Sequence, residues 1–268
     1  MPAAILPAVI EAARAAGRAI LEVRAAATVE IRQKPEGPVT NADMAANALL
    51  ELSLRALAPD AAWLSEETAD SPERLRAQSV WVVDPLDGTQ EFIQGTRDFG
   101  VSVALVEGAR PVLAVLHFPV DDETLYAVQG HGAFSCIGEQ EPRPLRVRQG
   151  GHPLVLATRR ADVRKPWMRD FAQGLGDAVL KPVGSTIRKI ALVARGDCDA
   201  YVTRGFTPFE WDVCAADLVL GEAGGVAMLP SGELPTYNRP DARMASGIIA
   251  CRSDIRETIL SRLAAIAP

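Results

Sequence analysis

The sequence contains few of the residues that build zinc sites or disulfide frameworks. The four cysteines are far apart, and no two form a C-x-x-C pair: Cys136, Cys198, Cys214 and Cys251. This spacing favours reduced, structural thiols. The three histidines lie in unrelated contexts typical of surface or strand positions: His117, His131 and His152. A soft metal therefore has no ligand cluster in this sequence.

Long apolar runs and an excess of positive charge are also absent. No stretch approaches the ~20 apolar residues of a membrane span, so we expect no transmembrane segment. The N-terminal stretch places Glu11 and Arg14 where a signal peptide needs an apolar core, which favours a cytoplasmic location. The net charge of −6 argues against polymeric nucleic acid as a partner, although a local basic pocket could still bind a nucleotide.

The hydrophobic residues, 48% of the 268, predict a globular chain with a buried core. Apolar residues from Ile5 to Val23 recur at helical spacing. The polar stretch 32–38 is typical of a loop, residues 40–57 of a second helix, and residues 62–65 of a short strand. From Val80 to about residue 134, β-rich segments separated by glycine turns, one of them near Gly108, predict an antiparallel sheet covered by the two helices.

The segment 140–153 is rich in Pro, Gly and Arg and is the predicted boundary between an N-terminal α+β subdomain, 1–150, and a C-terminal α/β subdomain, 151–268. Beyond it, strands and helices alternate. The predicted strands are 154–157, 179–183 and 199–203, and the predicted helices are 167–175, 186–195, 211–222 and 255–267. The predicted fold class is therefore α/β in the broad sense that includes α+β.

Acidic residues stand at the ends of these predicted elements, beside Gly, Pro or Trp. They are Glu66, Glu67, Asp84, Asp87 and Asp212. Each one alone is more typical of a solvated strand end or an acid at a helix start. Together they supply the oxygen ligands that Mg²⁺ prefers. In DPLDGTQEF a turn through Pro85 could direct two carboxylates and the Leu86 carbonyl to one side.

A hydrolytic metal site also needs an oriented water molecule and an acceptor for its proton. Thr89, three residues after Leu86, could hydrogen-bond that water, and Asp43 is a candidate proton acceptor. The segment Thr40 to Asp43 also has the S/T-x-x-D/E pattern of a helix capping box, so a capping role is expected in any case.

Four ordered motifs resemble the signatures of the inositol monophosphatase superfamily of Mg²⁺-dependent, lithium-sensitive phosphatases. They are TNAD at 40–43, SEE at 65–67, DPLDGTQEF at 84–92 and EWDVCAADLVLGEAGG at 210–225. The resemblance implies an αβαβα layered sandwich and two or three Mg²⁺ ions. The implied metal ligands are Glu66, Asp84, the Leu86 carbonyl, Asp87 and Asp212. The implied catalytic residues are Asp43, Glu66 and Thr89, and the backbone of Gly88 and Thr89 would hold the phosphate.

Within the superfamily, the sequence resembles the 3'(2'),5'-bisphosphate nucleotidases, which act on adenosine 3',5'-bisphosphate. Arginine suits a second phosphate better than a carboxylate does, so Arg188 and Arg204 are the predicted pocket for the 5'-phosphate, with Arg159 a weaker candidate. The full predicted substrate-binding set is Leu86, Asp87, Gly88, Thr89, Gly184, Ser185, Arg188, Arg204 and Asp212. The chain departs from the branch at Gln90 and Arg160, which affects the details of nucleotide specificity.

Two alternatives remain open on the sequence. One is a phosphatase of the same superfamily that acts on inositol phosphate, fructose bisphosphate or histidinol phosphate. The other is a binding or sensor protein that retains the sites without turnover. A nucleotidase would clear a by-product of sulfate assimilation. A homodimer is possible, but no residue stripe in the sequence identifies its interface.

Overall fold

The computed structural model describes residues 2–26, 28–35, 37–244 and 247–266. The helices in these ranges are Pro2–Ala25 (α1), Asn41–Leu57 (α2), Thr89–Ile93 (α3), Pro166–Gln173 (α4), Thr186–Ala194 (α5), Cys214–Glu222 (α6) and Arg256–Ala264 (α7). Short 3₁₀ helices occupy Pro72–Arg76 and Ser253–Ile255.

The strands fall into three sheets. A two-stranded hairpin contains Ile31–Lys34 (β1) and Gly37–Thr40 (β2). A large sheet contains, in spatial order, Ala62–Ser65 (β3), Ser79–Asp87 (β4), Gly100–Glu107 (β5), Arg110–Phe118 (β6), Glu123–Val128 (β7), Ala133–Ile137 (β8) and Arg143–Pro144 (β9). A smaller sheet contains Val155–Arg159 (β10), Val179–Val183 (β11), Ala200–Val202 (β12), Gly225–Met228 (β13) and Ile249–Arg252 (β14).

The large sheet is antiparallel except where β3 pairs with β4 in parallel. The strands alternate Val, Leu and Ala with few charges, and the sheet is buried on both faces. The predicted hairpin near Gly108 is confirmed, and Gly108 supplies the positive φ of +54° that the turn between β5 and β6 requires. In the smaller sheet the spatial order is β11-β10-β12-β14-β13, with β10 parallel to both of its neighbours.

Five layers result from the packing of helices on these sheets. The apolar faces of α1 and α2 cover one face of the large sheet through residues such as Ile20 and Leu50. Helices α5 and α6, which are apolar almost all round, form a shared central layer between the two sheets, as Ile190 and Val219 show. Helices α4 and α7 cover the far face of the smaller sheet. The expected αβαβα sandwich is confirmed.

Several local predictions differ from the structure. The stretch 32–38 is not a loop: it lies mostly in the β1–β2 hairpin, whose backbone hydrogen bonds form despite a polar composition. Strands β13 and β14, each of four residues, were not predicted. The helix expected from Trp211 begins at Cys214, and the one expected over 255–267 is α7, whose predicted last residue lies outside the described residues.

The predicted boundary at residue 150 falls between β9 and β10, which belong to different sheets. One hydrophobic cluster nevertheless joins residues of both halves, including Val82 and Leu116 from the first and Ile187 and Val213 from the second. The division into 1–150 and 151–268 therefore stays a proposal. Within the described residues, no helix has the length and apolar character needed to cross a membrane.

Candidate active site

The DPLD segment lies at the end of β4, where the strand is interrupted by a bulge. Asp84 pairs with Ser102 and Asp87 with Gly100, and the register shifts between these pairs. Pro85 has no N–H to donate to the sheet, so the strand bends here rather than continuing its ladder. The expected turn is therefore a bulged continuation of the strand, and it still brings Asp84 and Asp87 to the same region of the molecule.

Asp84 is buried and incompletely hydrogen-bonded. Its Oδ1 accepts a hydrogen bond of 2.9 Å from the backbone N–H of Leu86. Its Oδ2 is buried and has no hydrogen-bond partner among the described residues. A buried carboxylate oxygen without a donor costs free energy, and a bound cation would remove that cost.

Two further carboxylates approach Asp84 from different parts of the fold. Glu66 directly follows β3, where its backbone N–H bonds to the Val83 carbonyl at 3.3 Å. Asp212 lies two residues before α6, and its Oδ2 accepts a 2.7 Å bond from the Phe209 N–H instead of capping the helix. Oxygen atoms of Glu66, Asp84 and Asp212 all lie within 4.8 Å of one another. The structure thus groups three of the four carboxylates that sequence reasoning assigned to the metal.

The proximity of these acids perturbs their ionisation. Burial, followed by the charges of Glu66, Asp87 and Asp212, raises the pKa of Asp84 well above its ordinary value. Burial raises the pKa of Glu66 to about 7, although the nearby ammonium of Lys34 opposes the shift. Burial and the charges of Asp87 and Glu66 likewise raise the pKa of Asp212. A cluster of carboxylates with raised pKa values is the environment that a divalent cation stabilises.

Asp87 lies beside this cluster, and its carboxylate also accepts hydrogen bonds from the start of α5. Its Oδ2 accepts from the Ser185 hydroxyl and, at 2.7 Å, from the Ile187 N–H. Ser185 has an unusual φ of +26° and its hydroxyl also accepts a bond from the Arg188 N–H. This arrangement joins β4 to the N-terminal turn of α5 and places Ser185 against the DPLD segment.

Thr89 and Asp43 lie together next to the acidic cluster. The Thr89 hydroxyl, at the start of α3, is 3.0 Å from Asp43 Oδ1 and 3.2 Å from the Leu86 carbonyl oxygen. The other oxygen of Asp43 accepts bonds from the Thr40 N–H and hydroxyl, which completes the expected capping box of α2. Burial raises the pKa of Asp43. The same carboxylate therefore caps a helix and orients Thr89.

The position of Gly88 requires glycine, because it has no space for a side chain. Its φ is +93°, and an added Cβ would lie 2.8 Å from the Asp98 carbonyl oxygen. Gly184 lies against the side chain of Glu91, and its N–H donates a 3.0 Å bond to Asp98 Oδ2. Both glycines therefore lie next to Asp98, one against its carbonyl oxygen and the other bonded to its carboxylate.

The donor set fits magnesium. It consists of the carboxylates of Glu66, Asp84 and Asp212, all of them oxygen ligands, and Asp84 also has a buried Oδ2 without a hydrogen-bond partner among the described residues. None of the described residues adds a thiol or an imidazole to the three-carboxylate group. The cysteines are buried and free elsewhere.

The two arginines expected to form one phosphate pocket line separate cavities. Arg188 projects into a cavity of about 720 Å³, where its guanidinium pairs with Asp121 and Glu123. Arg204 lines a cavity of about 450 Å³ and lies 6.0 Å from the centre of the Trp167 ring. Their individual roles stay predictions.

Two lysines near the site were missed by sequence reasoning. Lys34, in the supposed loop, lies with its Nζ 3.1 Å from Glu66 Oε1 and 2.6 Å from Glu67 Oε1. Lys189 is buried in α5, and its Nζ donates to the carbonyls of Gly184 and Ser185. Burial lowers the pKa of Lys189 to about 8, although Asp87 opposes the shift. The sequence offered one signal for Lys189: a lysine within the apolar helical stretch IRKIALVA indicates a buried charge.

Comparison with known proteins identifies the family. The model of the inositol monophosphatase family matches residues 1–267. The chain belongs to this family. The predicted superfamily membership and the prediction of a phosphoric monoester hydrolase are thereby confirmed.

Relatives within the family are similar over most of their length. The 3'(2'),5'-bisphosphate nucleotidase CysQ of Aggregatibacter actinomycetemcomitans is 36% identical over 219 residues, 80% of this chain and 81% of the relative. The protein of the same name from Escherichia coli K12 is 35% identical over 224 residues, 82% and 88% of the two chains.

Solved structures of family members have the same fold. The crystal structure of CysQ from Bacteroides thetaiotaomicron superposes with a TM-score of 0.81 at 29% identity and covers 93% of this chain and 97% of that one. The extragenic suppressor protein suhB from Bartonella henselae superposes with a TM-score of 0.82 at 26% identity, covering 98% and 99%. The predicted similarity to the 3'(2'),5'-bisphosphate nucleotidases is confirmed by these relatives.

Proposed function

We propose that this member of the inositol monophosphatase family is a Mg²⁺-dependent 3'(2'),5'-bisphosphate nucleotidase. Its substrate would be adenosine 3',5'-bisphosphate, from which it removes the 3'-phosphate to leave AMP. The observation that carries the proposal is the triad of Glu66, Asp84 and Asp212 with the Thr89–Asp43 pair beside it. The nucleotidase relatives at about 36% identity support the choice of substrate.

The chain's own residues would divide the work of hydrolysis between them. The Thr89 hydroxyl, which already bonds to Asp43, is placed to orient the attacking water and pass its proton toward that carboxylate. Burial raises the pKa of Asp43, which makes it a better proton acceptor than an exposed aspartate. The backbone of Gly88 and Thr89 would hold the phosphate, because it forms the N-terminal end of α3 directly after Asp87.

Magnesium, when bound, would supply positive charge that lowers the pKa of water and stabilises the phosphate oxygens. Glu66, Asp84, Asp212 and the Leu86 carbonyl would hold it, and Asp87 would complete the set. Glu66 would also act in catalysis, since it borders the space next to Thr89 and Asp43, whose charge contributes to its raised pKa.

Recognition of the second phosphate is assigned to cationic groups at the start of α5 and beyond it. Gly184 and Ser185 bring backbone close to Asp87, and Arg188 and Arg204 supply guanidinium groups in two cavities. Lys189 adds a buried positive charge behind the same turn. A bisphosphate carries more negative charge than an inositol monophosphate, and this distribution of cations favours the former.

The finer properties of the enzyme belong to the same proposal. They are two or three bound Mg²⁺ ions, inhibition by lithium at one of the metal positions, a cytoplasmic location and a role in clearing a by-product of sulfate assimilation. A homodimer is compatible with the proposal but is not needed for it.

Phosphate release tests the proposal. The purified protein is incubated with Mg²⁺ and, in parallel, with adenosine 3',5'-bisphosphate, inositol 1-phosphate or fructose 1,6-bisphosphate. We expect the nucleotide to be preferred by orders of magnitude in kcat/KM. Preference for inositol 1-phosphate or the sugar bisphosphate would reject the substrate assignment and leave the metal site intact.

Substitutions of Arg188 and Arg204 test their assignment to the second phosphate. Because Arg188 and Arg204 line separate cavities, Arg188→Ala and Arg204→Ala test the two cavities one at a time. The substitution in the cavity that holds the second phosphate should lower kcat/KM for the bisphosphate selectively, with little effect on a nucleoside monophosphate. Arg164→Ala, which removes an exposed arginine, is the matched control. Equal losses on both substrates would contradict the assignment of these arginines to the second phosphate.

A further inference from the structure

Arg74 is a buried arginine outside the catalytic set. It lies in the 3₁₀ helix Pro72–Arg76, and only 2% of its surface is exposed. Its Nε and Nη2 donate bonds of 2.6 and 2.9 Å to the two carboxylate oxygens of Asp70. A buried guanidinium with a two-point carboxylate contact is held in one orientation.

The far side of the same guanidinium holds a distant loop. Nη1 donates to Asn238 Oδ1 at 2.7 Å and Nη2 to the Arg239 carbonyl at 2.9 Å. Asn238 returns a bond of 3.1 Å to the Arg74 carbonyl, and its own φ of +60° shows that the loop is tightly shaped. Arg74 therefore fixes the backbone at residues 238–239.

That backbone in turn holds Glu210, which is fully buried. Glu210 Oε2 accepts a 2.7 Å bond from the Asn238 N–H, and Oε1 accepts a 3.0 Å bond from the Arg239 N–H. Both carboxylate oxygens are thus used by two successive N–H groups of one loop. Replacement of either acceptor leaves a buried N–H without its partner.

The two ends of this network adjoin metal-binding residues from different sheets. Asp70 follows Glu66 by one short segment after β3 of the large sheet. Glu210 precedes Asp212 by two residues in the connection after β12 of the smaller sheet. Oxygen atoms of Glu66 and Asp212 lie within 4.8 Å of one another, close enough for both to reach one ion. The segments that carry them are joined by the Arg74 clamp, defined as Asp70, Arg74, Asn238 and Glu210 with the backbone of Arg239.

We propose that Arg74 and Glu210 are positioning residues that set the separation of Glu66 and Asp212 and so the affinity of the site for divalent cations. The inference rests on the metal site of the proposed function. The Arg74 clamp touches neither substrate nor ion. It acts by limiting the movement of one sheet's metal-binding loop relative to the other's. Groups that hold metal-binding side chains in place commonly change metal affinity by about 10- to 100-fold when removed.

Manganese binding without substrate tests the inference. The dissociation constant for Mn²⁺ is measured from the EPR signal of the free ion, at a temperature well below the unfolding midpoint of every variant. Glu210→Gln keeps the shape of the side chain but replaces one hydrogen-bond acceptor with a donor. Arg74→Lys keeps the positive charge but loses the two-point contact with the Asp70 carboxylate. We expect each to weaken Mn²⁺ binding by about 10-fold. The double variant should be no weaker than either alone, since both changes break one connected unit.

Matched controls come from a similar buried pair away from the site. Asp199 is buried and accepts the Val155 N–H and the guanidinium of the buried Arg252. Asp199→Asn and Arg252→Lys should lower the unfolding temperature and leave the Mn²⁺ dissociation constant unchanged. Because the controls suffer a comparable loss of buried bonds, a change in affinity confined to the clamp variants separates positioning from general stability.

The possible failures are distinguishable. Wild-type affinity in both clamp variants, or equal losses in the controls, would overturn the inference. A wild-type chain that does not bind Mn²⁺ would overturn the metal site and the clamp together. If the wild-type chain binds Mn²⁺ but does not hydrolyse adenosine 3',5'-bisphosphate, only the substrate assignment is rejected. Weaker Mn²⁺ binding in the clamp variants would still support the inference in that case.

Discussion

The substitution Asp84→Asn should make the metal-free protein more stable while it destroys the metal site. The Oδ1 of the new amide side chain can still accept the Leu86 N–H, as the Asp84 carboxylate does at 2.9 Å. The amide nitrogen replaces an oxygen that has no hydrogen-bond partner among the described residues. It can donate toward the carboxylates of Glu66 and Asp212, so an unfavourable contact becomes a favourable one.

The size of the effect follows from the spacing of the charges. Two unit charges 4.8 Å apart repel by about 3.5 kcal/mol at an effective dielectric constant of about 20. Asp84 has two such neighbours, Glu66 and Asp212. Their raised pKa values mean that bound protons relieve part of this repulsion near neutral pH. We therefore expect a net gain of about 2 to 4 kcal/mol at pH 8.5 and a smaller gain at pH 6.

Thermal unfolding in EDTA and in excess Mg²⁺ measures this gain. For a chain of this size, about 1 kcal/mol shifts the midpoint by roughly 2 to 4 °C, so Asp84→Asn should unfold about 5 to 10 °C higher in EDTA at pH 8.5. Excess Mg²⁺ should stabilise the wild type, by about 2.7 kcal/mol at 100 times the dissociation constant, and leave the variant unchanged. Phosphate release by the variant should be undetectable.

Asp199→Asn provides the contrast, because Asp199 is equally buried but paired with Arg252 at 2.8 Å. Its replacement should destabilise the chain in both buffers. A lower midpoint for Asp84→Asn in EDTA would refute the reasoning, since it would mean that the Asp84 carboxylate stabilises the metal-free fold.

Three further predictions concern single residues. Thr89→Val should lower kcat by about 10² to 10⁴ with a small change in KM, measured by phosphate release, since it removes the hydroxyl that bonds to Asp43; Thr89→Ser should restore much of the rate. Gly88→Ala should lower the free energy of unfolding by roughly 1 to 3 kcal/mol in urea titrations, because the position has a φ of +93° and the new Cβ would meet the Asp98 carbonyl at 2.8 Å. Burial lowers the pKa of His117 to about 4, so the neutral ring stabilises the fold above pH 6.5 and up to about 3 kcal/mol is lost as the pH falls toward 4. His117→Gln should flatten this part of the stability profile, and an unchanged pH dependence would show that other groups control it.

The layered fold was predictable because the helical spacing of apolar residues and the order of the four family motifs indicated the same arrangement of elements. The apolar spacing from Ile5 to Val23 and the capping pattern at Thr40 correspond to α1 and α2. The hairpin at residues 31–40 was not predictable from hydrophobic alternation, since its side chains are mostly polar and its stability comes from backbone pairing. Strands β13 and β14 were also missed, although β3, which has the same length, was predicted.

The site was predictable where chemistry is local in sequence and less so where the chain folds back on itself. Asp84, Asp87 and Thr89 lie within six residues, and one motif reveals all three. The proximity of Thr89 and Asp43 could be proposed only from the chemistry that a hydrolytic site needs, because the two residues are far apart in the chain. The separation of Arg188 and Arg204 into different cavities depends on side-chain direction, which spacing alone does not determine.

The shared layer formed by α5 and α6 has a consequence for synthesis on the ribosome. Both helices follow β11 in the chain, yet they cover a face of the large sheet that was completed much earlier. One apolar face of the large sheet therefore stays exposed until residues 186–222 have been synthesised. Asp212 lies between α5 and α6 in the chain, so it is added together with the helices that cover this face. Any species released before that point would aggregate through this face and would be inactive, so catalytic competence reports completed folding of the central layer.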